Sequence, residues 1–82
     1  MPVLTDLVMP KLGDSMVDAE VVEWLVEPGA RVGPEDPIVN VDTGKALTEV
    51  LAPASGVLVE AVAAVGDVVP IGGLLARIQV DG

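Results

Sequence analysis

Apolar and polar residues alternate in short runs along this chain, and turn-forming residues interrupt them before any run reaches the length of an ordinary helix. Pro, Gly, Asp and Ser punctuate it at 10–15, 28–29, 33–37, 43–44, 53–56, 66–67 and 70–73, as turn chemistry requires. The intervals predict eight strands, at 5–9, 20–26, 31–32, 37–42, 46–51, 57–63, 67–69 and 74–80. In the second, Val22, Trp24 and Val26 are expected on one face and Glu23 and Glu27 on the other, the period of two of a half-buried strand. Short strands closely spaced by turns predict an all-β fold, a sandwich or flattened barrel of two antiparallel sheets.

A weak internal repeat supports this. Shifting the chain by 37 residues places Val22, Glu23, Gly29 and Val32 on Val59, Glu60, Gly66 and Val69. The apolar residues Leu25, Ile38 and Val41 fall on Val62, Leu75 and Ile78. Two similar β units are therefore expected, each burying its apolar face against the other's.

Composition narrows the picture. Eighty-two residues hold one core, so a single domain is expected over 1–82, with its core at about 5–80. The hydrophobic fraction of 51% comes from 17 Val, 9 Leu, 9 Ala, 3 Ile, 3 Met and Trp24, the one aromatic residue, and the β-branched excess favours strands. Trp24 shares the alternating apolar face and is expected to pack there rather than bind a ligand.

Charge and missing residue types exclude functions. The chain carries 4 basic and 13 acidic residues, a formal charge of −9, and neither His nor Cys. A thiol nucleophile, a disulfide, the usual zinc sites and an imidazole base are all excluded, and no metal site is expected. Lys11, Arg31, Lys45 and Arg77 are too scattered for a basic patch, so nucleic acid is not an expected partner. The longest uncharged run, 50–59, is broken by Pro53 and Gly56, well short of the ~18 apolar residues of a membrane helix. The first residues, Met1 to Asp6, lack the pattern of a signal or transit peptide. The expected location is the cytoplasm of a bacterium, or the mitochondrial matrix in a eukaryote.

One residue stands apart. Lys45 lies in Asp42-Thr43-Gly44-Lys45-Ala46, between the apolar runs at 38–41 and 46–50. That arrangement predicts a short hairpin in which Gly44 takes a positive φ and Lys45 stands at the tip. A turn lysine ordinarily guards a sheet against aggregation. Phosphate binding is excluded, because a P-loop needs Gly where Val39 stands and Ser or Thr where Ala46 stands. Asp42 and Glu49 read as surface charge across a solvated hairpin rather than an acid/base pair.

With these segments in order, the chain resembles the lipoyl domains of 2-oxo acid dehydrogenase complexes, in the biotin/lipoyl attachment family. The resemblance runs from Leu7 to Ile78. Val8 to Met16 looks like the first strand and its following loop, and Glu23-Trp24-Leu25-Val26-Glu27-Pro28-Gly29 like the second strand and turn. Asp36 to Ala46 is similar to the stretch that carries the modified lysine, and Ala52-Pro53-Ala54-Ser55-Gly56-Val57-Leu58 follows it. One position departs from the pattern: Gly44 stands where the family usually has Asp.

The resemblance implies a barrel of two sheets with pseudo-two-fold symmetry. It implies lipoic acid in amide linkage to Lys45, at a hairpin tip formed with Asp42, Thr43, Gly44 and Ala46. Leu12, Gly13, Asp14, Ser15 and Met16 would form a loop that helps a decarboxylase choose its carrier. The implied partners are a lipoate ligase or lipoyl transferase, a 2-oxo acid decarboxylase, an acyltransferase core and dihydrolipoyl dehydrogenase. The domain itself is expected to be a monomer and no enzyme alone, the N-terminal module of a dihydrolipoyllysine-residue acyltransferase. Lys11, at a strand end rather than in a tight hairpin, is the competing lysine. Two alternatives remain open: a biotin carrier, whose lysine has Met on both sides where this chain has Gly44 and Ala46, and an unmodified structural or interaction barrel.

Overall fold

The computed structural model describes residues 3–81; residues 1, 2 and 82 of the expected 1–82 domain lie outside the described residues. The strands are β1 (Val3–Val8), β2 (Asp18–Trp24), β3 (Arg31–Val32), β4 (Pro37–Asp42), β5 (Leu47–Leu51), β6 (Gly56–Ala61), β7 (Val68–Pro70) and β8 (Leu74–Val80). All eight expected strands are present, with no end more than two residues away. No helix among the described residues is long and apolar enough to cross a membrane.

The strands form two four-stranded sheets, ordered β1-β8-β6-β3 and β5-β4-β2-β7, with every pairing antiparallel. The 37-residue repeat is structural. It carries β2, β3 and β4 onto β6, β7 and β8 and extends to their irregularities. The register slips between Val21 and Glu23 in β2, and between Leu58 and Glu60 in β6. It slips again between Pro37 and Val39 on β4, and between their equivalents Leu74 and Ala76 on β8. Turn bonds match too. The Gly29 N–H donates to the Leu58 carbonyl at 2.7 Å, and the Gly66 N–H to the Val21 carbonyl at 2.8 Å.

Two sequence expectations are corrected. The halves do not form one sheet each: β1 and β3 share a sheet with β6 and β8, so the two units interleave and neither has a separate apolar face. A repeat reveals which positions are equivalent, but not which strands pair. The alternation expected through Val22, Trp24 and Val26 also breaks, because Val22 is the extra residue of a bulge and is exposed, while Ala19 and Val21 point inward. A bulge moves one residue off the inner face and resets the period beyond it. Trp24 lies beyond the bulge, half-buried against the core, and its indole N–H donates to the Ala63 carbonyl at 2.9 Å.

The core between the sheets is aliphatic. Val21, Ile38, Val39, Val41, Leu58 and Leu75 have no exposed surface. Burying one such side chain is worth ~1.5–3 kcal/mol, and no charged or polar residue is buried with them among the described residues. The chemistry-bearing groups are thus confined to the outer faces of the sheets and to the connections.

Candidate functional site

The β4–β5 hairpin is built from its own backbone and two side chains. Asp42 pairs with Leu47 as the last rung of the ladder, leaving residues 43–46 as the connection. The Thr43 N–H and hydroxyl both donate to the Ala46 carbonyl, at 3.1 and 3.3 Å. The Asp42 carboxylate accepts the Gly44 N–H at 2.8 Å, a local turn bond of the Asx kind. Gly44 has φ +94°, and nothing lies within 4 Å of where its Cβ would be. Its need for glycine is therefore conformational rather than steric. Lys45 follows at the apex, exposed to solvent.

The connection between β1 and β2 reaches this tip. Its anchors are apolar: Met16 is buried in the core and Leu12 packs against it. The Leu12 N–H lies 3.2 Å from the Met16 sulfur, and the Met16 N–H donates to the Gly13 carbonyl at 3.2 Å. Gly13, Asp14 and Ser15 are left exposed between them. The Lys45 ammonium donates to the Ser15 hydroxyl at 3.2 Å, and the two loops enclose an open cleft of about 280 Å³.

The expected site residues therefore separate into groups. Gly13 to Met16 and Thr43 to Lys45 line one cleft. Asp42 and Thr43 shape the hairpin, and Ala46 closes it through its carbonyl. Leu12 and Met16 hold the neighbouring loop in place, which leaves its middle exposed. The Ser15 to Lys45 contact was not read from the sequence, since the two residues lie thirty positions apart.

The electrostatics separate the two lysines, neither of which is in an ion pair among the described residues, from the two arginines. Arg77 sits between Asp6 and Glu60, at 3.7 and 3.0 Å, and Arg31 pairs with Asp81. Lys45 makes no ion pair among the described residues, although it extends from a sheet whose exposed rows carry Glu20 beside Asp42 and Glu23 beside Asn40 and Glu49. Glu49 bonds nothing at the tip, and Asp42 is engaged with the turn. No group of three or more metal-ligating side chains occurs among the described residues. What the site offers is a single exposed primary amine at the apex of a hydrogen-bonded hairpin.

The chain is similar to known proteins along most of its length. The biotin/lipoyl family model, described as biotin-requiring enzyme, matches residues 5–78. The solved lipoyl domain of the 2-oxoglutarate dehydrogenase complex from Azotobacter vinelandii superposes with a TM-score of 0.74 at 38% identity, covering 94% of this chain and 98% of that one. The chain belongs to the biotin/lipoyl attachment family, as one of its lipoyl carrier domains. Among curated relatives, the dihydrolipoyllysine-residue acetyltransferase component of the pyruvate dehydrogenase complex of Mycobacterium bovis is 43% identical over 74 residues. That match takes in 90% of this chain and 13% of the relative's length. A single-chain, multi-domain long-chain acyl-CoA carboxylase shares the fold at 20% identity, with a TM-score of 0.79 over 96% of this chain and 7% of its own.

Proposed function

We propose that residues 1–82 form one lipoyl carrier unit in which Lys45 is the attachment point, serving the acyltransferase component of a 2-oxo acid dehydrogenase complex. The observation that carries this is the exposed, carboxylate-free amine at the apex of a hairpin whose turn is fixed by Asp42, Thr43 and Gly44. The residues present fit the group. The amine is accessible for acylation, and its neighbour Ser15 is a neutral hydroxyl able to accept a hydrogen bond from ammonium or amide alike.

Attachment turns the Lys45 ammonium into a neutral amide: the nitrogen first gives up a proton to become a free amine, then displaces the leaving group of a carboxyl that a ligase has activated and loses a second proton. When bound, the lipoyl group supplies reversible dithiol–disulfide chemistry and a sulfur that accepts an acyl group. The chain's own part is mechanical. The β4–β5 ladder holds the apex, the turn bonds limit its motion, and the 13–15 loop offers a surface beside the arm's root. A decarboxylase, an acyltransferase core and dihydrolipoyl dehydrogenase would each meet the domain at this end. Biotin attachment to the same lysine is the second reading, kept by the breadth of the family model, and Gly44 and Ala46 in place of flanking Met weigh against it.

Intact-mass measurement after coexpression with a lipoate ligase and lipoate tests the proposal. One lipoyl addition is expected, and none for Lys45→Ala. An addition that survives the substitution would sink the assignment, while a streptavidin-positive product made with a biotin ligase would favour the second reading.

A further inference from the structure

We infer that Ser15 is the positioning residue for the Lys45 side-chain nitrogen, and that its hydroxyl couples the acylation state of Lys45 to the conformation of the 13–16 loop. This rests on the carrier reading and deepens it. Of the two connections that line the cleft, only Ser15 and Lys45 bond side chain to side chain across it, at 3.2 Å. The loop end of this contact is not free to drift, because Met16, next in sequence, is buried, and its N–H and sulfur are both engaged within the loop. A pull on the Ser15 hydroxyl is thus borne by a short segment with a fixed anchor.

The chemistry of the acceptor explains why a serine suits this place. A carboxylate facing Lys45 would hold the ammonium through a charge-assisted bond, roughly twice as strong as a neutral one, and acylation would forfeit the difference. The exposed arginines do have such partners, in Asp81, Asp6 and Glu60. Two carboxylates are near enough in sequence to compete. Asp42 is occupied by the Gly44 N–H, and Asp14 makes no ion pair among the described residues. A hydroxyl accepts from either form of the nitrogen, so the contact persists through modification while its geometry changes. An ammonium has three rotatable donors, whereas a secondary amide has one, fixed in a planar trans unit. With that one N–H directed at Ser15, the amide carbonyl points the opposite way, and the root of the arm acquires a direction relative to the loop.

The test compares backbone amide shifts of the 82-residue chain before and after ligase-catalysed lipoylation, for the unsubstituted chain, Ser15→Ala and Ser15→Thr, with intact mass confirming the addition in each. Gly13 to Met16 are expected to shift on modification in the unsubstituted chain. That response is lost in Ser15→Ala and restored in Ser15→Thr, while Thr43, Gly44 and Ala46 respond in all three. A loop response in Ser15→Ala equal to that of the unsubstituted chain, with full modification, overturns the coupling. A second arm needs no lipoate: the Lys45 side-chain ammonium resonance is expected to move in Ser15→Ala and to return in Ser15→Thr, and its failure to move overturns the contact itself. Failure of the unsubstituted chain to gain lipoate, with the ammonium arm positive, counts against the carrier reading and leaves the Ser15 contact standing.

Discussion

The two ends of the pseudo-two-fold barrel share one scaffold and differ in what closes them. At one end β4 turns into β5 through residues 43–46; the equivalent place at the other end holds the chain's own terminal strands, with Val3 paired to Val80. Each end is met by the connection that follows the other sheet's edge strand. Ser15 reaches Lys45 at the hairpin, and the Ser55 carbonyl accepts the Asp81 N–H at the other. The connections are unequal. Residues 9–17 join β1 to β2, whereas 52–55 suffice between β5 and β6. The symmetric core thus supplies rigidity twice over, and the site arises where the symmetry is broken, by a longer loop set against a closed hairpin. Charge follows the same division: the terminal end pairs Arg31 with Asp81, and the hairpin end leaves its lysine without a carboxylate.

If the halves share one core, equivalent truncations should cost alike. Ile38→Ala and Leu75→Ala remove fully buried side chains at matched bulges, and each is expected to lose ~2–5 kcal/mol. Urea unfolding followed by Trp24 fluorescence measures both. A small loss at one position, or two separate transitions, would mean that the halves are energetically independent.

A finer contrast lies in the turns before β4 and β8. Glu35 has φ 67° where its equivalent Gly72 has φ 84°, and their N–H groups donate to Ala52 and Met9 respectively. Glu35→Gly should relieve a left-handed conformation and gain ~1 kcal/mol, with Gly72→Ala losing a similar amount. Equal and small effects in the same denaturation experiment would show that the turns relax to a common geometry.

At the hairpin, Gly44→Asp restores the family's usual residue but places a side chain at φ +94°. A loss of up to ~1 kcal/mol is expected, moderated because Asp tolerates this region better than most residues. Lipoyl addition, read by intact mass, should persist; its loss would show that the turn's shape matters more than its lysine. The smallest effect belongs to the terminal end. Arg31→Ala breaks an ion pair whose side chains are 65% and 50% exposed, and should change stability by less than ~1 kcal/mol.

Much of this arrangement was legible in the sequence. Period-two alternation and regular turn residues located all eight strands, and the matched glycines exposed the repeat. The hairpin tip was legible because Thr-Gly-Lys between two apolar runs admits few other conformations. The bulges were not, since Val22 and Val59 look like ordinary strand residues and only the ladder reveals that each is one too many. Strand exchange between the halves was hidden for a related reason, as pairing depends on contacts far apart in the chain. Glu35 carried no signal of its own, yet the 37-residue shift places it on Gly72 and could have flagged the turn. Met16 resembled its polar loop neighbours by position, and only burial separates it as an anchor.

In the proposed carrier the folded hairpin, rather than lysine chemistry alone, selects the attachment point. Peptide mapping by tandem mass spectrometry of the ligase-treated chain tests this directly, because Lys11 and Lys45 compete within one molecule. The lipoyl group is expected on Lys45 alone; its presence on Lys11 in the native chain, at a level comparable to Lys45, would contradict selection by the hairpin.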